Sequence, residues 1–183
     1  MEKLRLGLIG CGRISKNHFE AISQIPEAEY VAVADIIRER AEEAAKTYNI
    51  PSVYTDYHKM LDKEQLDAVS ICTPSGLHPS IGIDVANHKI NVITEKPMAI
   101  NVEGADKLIH ACDENNVQLF VVKQNRLNTT MQLLKRAVDK GRFGRIYMAQ
   151  SNVFWQRPQS YYDAAKWRGT WEFDGGAFLN QAS

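Results

Sequence analysis

A chain of 183 residues with 44% hydrophobic and 24% charged residues suits one good core and part of a second domain. Lys and Arg together number 22, as do Asp and Glu, so there is no charge excess of the kind a nucleic-acid or membrane-surface partner needs. No apolar run reaches membrane-spanning length, Met1-Glu2-Lys3-Leu4 lacks a signal-peptide core, and Cys11, Cys72 and Cys112 stand at no metal-ligand spacing, so the expectation is a reduced, cytoplasmic protein.

Residues 4–9 form a short apolar strand, followed at once by Gly10-Cys11-Gly12. Residues 15–25 read as a helix with Ala21, Ile22 and Ile25 on its buried side, ended by Pro26. A second apolar strand, 30–34, stops at Asp35. Residues 38–48 are rich in Ala, Glu and Arg and favour helix, and 57–61 form a helical turn with Asp56 as its cap. The apolar strand 68–72 runs into Thr73-Pro74-Ser75-Gly76, then a helix over 78–88. Strand 90–94 closes on Glu95-Lys96-Pro97; helix 102–115, strand 118–122 and helix 130–140 follow. Strands and helices alternating at this spacing predict βαβ units, and short continuous apolar strands predict a parallel sheet covered on both faces. Residues 1–125 are therefore expected to be a doubly wound α/β domain of the Rossmann kind.

The pattern changes after Gly144. Ile146, Met148 and Val153 punctuate an alternating run over 145–155, which predicts the first strand of an antiparallel sheet. A loop of rings and cations follows: Trp155, Arg157, Tyr161, Tyr162, Lys166, Trp167, Arg168 and Trp171. Asp174-Gly175-Gly176 then leads into a helical start over 177–183. A lone strand cannot satisfy its edges, so 126–183 is read as a connecting helix and the beginning of an α+β substrate and oligomerisation domain, incomplete in this chain.

Gly10-Cys11-Gly12-Arg13-Ile14-Ser15 fits G-x-G-x-x-G except at its last position. The first glycine permits the tight turn, and the second lets backbone N–H groups approach a pyrophosphate at a helix N-terminus. Ser15 is small enough to keep helix and strand close. An ordinary strand–helix turn would look similar, but this one lies between a strand and a helix, and an acidic residue ends the next strand. A carboxylate at Asp35 accepts from ribose hydroxyls and repels a 2′-phosphate, favouring NAD over NADP. Arg38 and Arg40 follow closely and leave open a phosphate contact, or simply a solvated helix face.

Thr73-Pro74-Ser75 belongs at the same sheet edge, where open α/β sheets take their ligands, although Pro74 alone would explain a plain turn. His78 begins the next helix, either beside the cap or against the cofactor. Lys96 ends a later strand on that edge. A lysine there can position a substrate hydroxyl and, with its pKa lowered by burial, share in moving the proton that leaves as hydride leaves the carbon. Glu95 can orient Lys96, contact a ribose, or lie on the surface. Asp174 and Asn180 are candidates to face the substrate; Asn180 holds a hydroxyl but is no base. The histidines are scattered and suggest no metal: His58, His88 and His110 suit helix surfaces, and His18 suits packing in the first helix.

GLIGCGRISKNH, VADIIRERA, ICTPSGLH, ITEKPMAIN and WRGTWEFDGGAFLNQAS together resemble the glucose–fructose oxidoreductase/inositol dehydrogenase/MocA family along essentially the whole chain. The resemblance implies a Rossmann domain followed by a mostly antiparallel C-terminal sheet, NAD(P)-dependent oxidation or reduction of sugars and cyclitols, and dimers or tetramers built through that sheet. It makes Lys96 the catalytic lysine. It gives cofactor roles to Gly10, Cys11, Gly12, Arg13, Ile14 and Asp35, lines the dinucleotide with Thr73, Pro74, Ser75, His78, Glu95 and Gln124, and brings Trp167 and Arg168 to the nicotinamide end. The Asn180-Gln181 pair and the loop QRPQSYYDAAKWRGTW look most like the sugar-nucleotide branch, which oxidises the 3-hydroxyl of UDP-N-acetylglucosaminuronate. Arg157, Lys166 and Arg168 would answer a carboxylate or diphosphate, and Tyr161 and Tyr162 would stack on the sugar, unless these rings pack a domain interface. Asn180 stands where the family often has aspartate, and the family's histidine four residues on would fall at position 184, one past Ser183. The chain is therefore expected to bind cofactor and to turn over poorly. An inositol or simple-sugar dehydrogenase and a non-catalytic dinucleotide sensor are the alternatives.

Overall fold

Leu8 and Ile9 are neighbours in the first apolar run, and both are buried on opposite faces of a sheet. The period of two in a strand sends Leu8 to a cluster with Phe19, Val33, Ala41 and Ala45, and Ile9 to one with Met60, Val69, Ile71, Val85, Val92 and Leu108. The computed structural model describes residues 3–181. It divides into two compact units, Met1–Val122 with Gly169–Ser183, and Lys123–Arg168.

In the first unit the chain runs β1 (Leu4–Ile9), α1 (Ser15–Ser23), β2 (Ala28–Ala34), α2 (Arg38–Tyr48), β3 (Ser52–Tyr54), α3 (Tyr57–Lys63), β4 (Ala68–Ile71), α4 (His78–Asn87), β5 (Asn91–Thr94), α5 (Val102–Glu114) and β6 (Leu119–Val121). The six strands pair in parallel in the order β3-β2-β1-β4-β5-β6, the expected doubly wound Rossmann sheet. Strand order reverses between β1 and β4, where the carboxyl ends open a crevice. The register makes that edge even: Ala34 pairs with Ile9, Ile9 with Ile71, and Ile71 with Thr94. The next residue in each strand is therefore Asp35, Gly10, Cys72 and Glu95, in one row.

Most elements lie within two residues of their expected bounds, and Asp56 caps α3 by accepting the His58 N–H at 3.0 Å. Two expectations need correction, and one strand was not expected. The buried stripe of α1 is Ser15 and Phe19, with His18 and Ile22 half-covered, while Ala21 and Ile25 are exposed. Phe19 sets that phase by stacking on Tyr48 at 4.4 Å and meeting Tyr30 edge-on at 5.2 Å. The edge strand β3, three half-buried residues beside β2, had no apolar run to announce it. Residues 145–155 form no strand and are exposed throughout. Among the described residues nothing lies beside them to complete a ladder, and alternation without a partner does not hold a strand.

The second unit holds a 3-10 turn at Gln124–Leu127, α6 (Thr129–Asp139) and α7 (Gln159–Asp163). The segment Gly169–Ser183, with α8 (Ala177–Asn180), groups with the first unit. It crosses the turn after β4 closely: Gly76 N–H donates to Phe173 O at 3.0 Å, and a Cβ on Gly76 would lie 2.1 Å from Glu172 O.

Candidate active site

The loop between β1 and α1 is shaped by its two glycines in different ways. Gly10 has φ +94°, and a Cβ there would sit 2.8 Å from both C and O of Cys72, so the turn tolerates only glycine. A Cβ on Gly12 would meet nothing within 4 Å. Gly12 therefore faces open space in front of α1, whose first turn no side chain caps. Uncapped N–H groups behind an open glycine are what a pyrophosphate fits. Ser15, in the third-glycine position, is buried and donates from Oγ to Gly12 O at 2.6 Å, which closes the loop from within. Arg13 is exposed and Ile14 is the N-cap residue.

Asp35 is buried beside this loop, where its carboxylate accepts the N–H groups of Cys11 at 2.7 Å and Ile37 at 2.8 Å. A carboxylate has about four acceptor positions, so capacity remains for ribose hydroxyls. Arg38 turns to Glu42 at 2.8 Å on the surface of α2 rather than toward a 2′-phosphate position. Burial, and then the Asp35 charge, push the Cys11 thiol up to about 12, so it is an inert wall rather than a nucleophile.

Past β4, Thr73 Oγ1 is screened from solvent and has no hydrogen-bond partner among the described residues. An orphaned hydroxyl on this edge is a second sign that a polar ligand belongs here. Pro74 is half-buried and Ser75 buried. His78 is 1% exposed, with Nδ1 2.7 Å from Pro97 O and Nε2 3.0 Å from Thr73 O. It ties the turn after β4 to the turn after β5. Burial lowers its pKa, while the two carbonyls and Glu95 act the other way.

Glu95 and Lys96 extend β5. Glu95 N–H joins the sheet at Ile71 O, 3.1 Å away. Its buried carboxylate meets His18 Nε2 at 2.9 Å through one oxygen and accepts Lys96 N–H at 3.2 Å through the other. Lys96 Nζ donates to the backbone oxygen of Asn180. The Asn180 amide donates to Asp174, which is buried and also accepts Gly169 N–H at 2.8 Å. Asp174 thus holds the loop at the start of the last segment. His18 joins this group, and it is the site neighbour that sequence reasoning missed.

The remaining expected residues, Gln124, Arg157, Tyr161, Tyr162, Trp167 and Arg168, belong to the second unit. There Arg168 lies 4.2 Å over the Tyr161 ring, and its Nη1 donates to Tyr161 O at 2.8 Å. Arg157 lies over Tyr161 at 5.2 Å and Trp155 at 5.3 Å, and Tyr162 meets Tyr161 edge-on. Nε of both arginines is screened from solvent and lacks an acceptor among the described residues. Gln124 opens the 3-10 turn. Among the described residues there is no group of three or more His, Cys, Asp and Glu side chains placed to hold a metal ion, and no helix is long and apolar enough to cross a membrane.

Comparison with known proteins gives the family. The model of the oxidoreductase family, NAD-binding Rossmann fold, matches residues 4–123, and that of the GFO/IDH/MocA C-terminal domain matches 131–183. The chain is similar to the crystal structure of the WlbA dehydrogenase from Bordetella pertussis in complex with NADH and UDP-GlcNAcA. That match has a TM-score of 0.96 and 52% identity, and covers 99% of this chain and 55% of that one. The WlbA dehydrogenase from Chromobacterium violaceum, also in complex with NADH and UDP-GlcNAcA, matches with a TM-score of 0.96 and 49% identity, over 100% of this chain and 53% of that one. Among curated proteins, the myo-inositol 2-dehydrogenase of Thermotoga maritima is 30% identical over 145 residues, 79% of this chain and 43% of its own length. The chain thus spans about half the length of these structures and somewhat less of that curated relative. With both of its segments matched in order, the chain belongs to the GFO/IDH/MocA family of oxidoreductases, and its first domain is that family's NAD-binding Rossmann fold.

Proposed function

We propose that the protein is an NAD-dependent dehydrogenase of a sugar nucleotide, oxidising the 3-hydroxyl of UDP-N-acetylglucosaminuronate or a close analogue. The observation that carries this reading is the likeness over 99% of the chain, at 52% identity, to a dehydrogenase bound to NADH and UDP-GlcNAcA. The row Asp35, Gly10, Cys72 and Glu95 at one sheet edge supports it, because it sets Lys96 beside the place for the dinucleotide.

In this reading the loop from Gly10 to Ile14 holds the pyrophosphate, Asp35 takes the adenosine ribose, and Thr73, Pro74 and Ser75 line the dinucleotide. His78 shapes that wall from behind, and Glu95 acts on Lys96. A nicotinamide held there would supply the hydride acceptor. Lys96 orients the substrate hydroxyl and, as the neutral amine, takes its proton as the carbon becomes a carbonyl. Asn180, whose backbone oxygen accepts from Lys96 Nζ, is assigned to hold the reacting hydroxyl. Arg157, Lys166 and Arg168 have the charge, and Tyr161, Tyr162 and Trp167 the flat faces, for a diphosphate, a uronate carboxylate and a sugar ring. Gln124 is assigned to the dinucleotide. The reading takes the protein to act in the cytoplasm as a homodimer or homotetramer.

The test is absorbance in the NADH band, using the full-length protein with NAD and UDP-N-acetylglucosaminuronate. A rise is expected, and Lys96→Ala should cut its rate by about 10²- to 10⁴-fold while NADH still binds. Undiminished turnover in that variant would remove Lys96 from the reaction. No rise with NADH binding intact would turn the reading to inositols and free sugars, which the likeness to myo-inositol 2-dehydrogenase favours next.

A further inference from the structure

His18 lies in the first turn of α1, so its place is fixed by the glycine loop directly before it. Its ring reaches the end of β5, 77 residues away in the chain, with Nε2 2.9 Å from Glu95 Oε1. Both side chains are nearly closed to solvent, 10% exposed for His18 and 9% for Glu95. The other Glu95 oxygen accepts Lys96 N–H at 3.2 Å. Both oxygens of one buried carboxylate are thus committed, one to the helix behind the glycine loop and one to the backbone of the lysine at the proposed reacting centre. The Glu95 charge also reaches Cys72 at the end of β4, adding to the rise that burial causes there, and His78 at the start of α4, opposing the fall that burial causes. Its His18 Nε2 contact is a side-chain one, at 2.9 Å.

We propose that His18 is a positioning residue for Lys96: its ring holds Glu95 in the orientation that accepts Lys96 N–H, and so fixes the strand end from which the lysine side chain departs. A buried carboxylate that loses its partner rotates toward water or takes up a proton. Either change releases Lys96 N–H and alters the field at Lys96 Nζ. Through this link, the helix that opens on the dinucleotide phosphate loop also sets the aim of the proton-transfer group. The inference rests on the reading of Lys96 as that group.

The test compares His18→Leu, which removes the ring nitrogen, with His18→Gln, whose amide nitrogen restores a donor near the Nε2 position. Both are made in the full-length protein. His18→Leu should lower kcat by about 10²-fold, the scale of a misplaced reacting group, with NADH affinity unchanged. His18→Gln should recover most of that loss. A second readout needs no sugar: in the NADH-bound protein, NMR of ¹³C-methylated lysines should show Lys96 titrating at a different pH in His18→Leu, and returning toward the native point in His18→Gln. A loss of kcat that tracks a loss of NADH affinity and of melting temperature, with Lys96 titrating as in the native protein, would reduce His18 to packing and overturn the proposal. Lys96→Ala in the same assay separates the two ideas. Native turnover there defeats the catalytic reading of Lys96, whereas the lysine titration decides the His18 link by itself.

Discussion

The Cys11 N–H donates to Asp35 Oδ2 at 2.7 Å, so the glycine loop after β1 and the acidic end of β2 are one hydrogen-bonded structure. Asp35 therefore has two tasks, shaping the loop and meeting a ribose. Replacing it with Ser should weaken NADH binding by about 1.5–3 kcal/mol, the usual loss for a hydrogen bond to a charged group. NADPH binding should weaken less or improve, because the carboxylate that repels a 2′-phosphate has gone. Titrating both cofactors into native protein and Asp35→Ser gives the ratio that matters. An unchanged ratio would leave Asp35 as a loop brace alone.

Gly10 and Gly12 should separate stability from binding. Gly10→Ala places a Cβ 2.8 Å from the Cys72 carbonyl group at φ +94°, and should destabilise the fold by about 1–3 kcal/mol in urea unfolding. Gly12→Ala puts its Cβ in open space, so its urea midpoint should stay at or slightly above the native value. The same methyl stands where the phosphates would approach, so NADH affinity should fall sharply. Native affinity in Gly12→Ala would move the pyrophosphate elsewhere.

The features legible in the sequence were the local ones. Leu8 and Ile9 announce a strand covered on both faces, and Gly10, Gly12 and Asp35 stand at distances set by one βαβ unit. Register then does the rest: because Ile9, Ile71 and Thr94 pair side by side, any residue just past a strand end reaches the same edge. His18 and Glu95 carry no such local signal. Their contact depends on how α1 lies against β5, and no spacing encodes it. The run over 145–155 shows the opposite failure, since its alternation is that of a strand but a strand also needs a neighbour.

Gly76 tests whether the last segment is fastened to the first unit. Its N–H bonds Phe173 O, and a Cβ would overlap Glu172 O at 2.1 Å and crowd Phe173 Cα at 3.0 Å. Both neighbours are backbone, so neither can rotate away. Gly76→Ala should lift the 169–176 stretch and cost about 1–3 kcal/mol, as overpacking does. Limited proteolysis should then cut within that stretch faster than in the native protein. Equal cutting would mean that the crossing is looser than its geometry.

Alkaline pH should unfold the protein through three groups wholly or partly buried in the Rossmann core. Burial, then Asp35, pushes Cys11 from 9.0 to about 12, and burial with the Glu95 and Cys11 charges raises Cys72 well above 9.0. Burial also raises Tyr30 from its ordinary 10.0, against the opposing effect of its 2.8 Å hydrogen bond with Ser70. Each native group keeps its proton after its unfolded counterpart has lost it. Over that interval the folded state binds more protons, and stability falls as pH rises. The stabilisation from Cys11 is whole below its unfolded pKa of 9.0 and is lost as pH climbs to about 12. The urea midpoint should therefore drop between about pH 9 and about pH 12, and less steeply in Cys11→Ser. In the same window iodoacetamide should label Cys11 and Cys72 slowly in native protein and quickly once urea has unfolded it. Rapid labelling of Cys11 in the folded protein would mean that its thiol is open and ionised, and that the glycine loop is not the closed structure which its hydrogen bond to Asp35 implies.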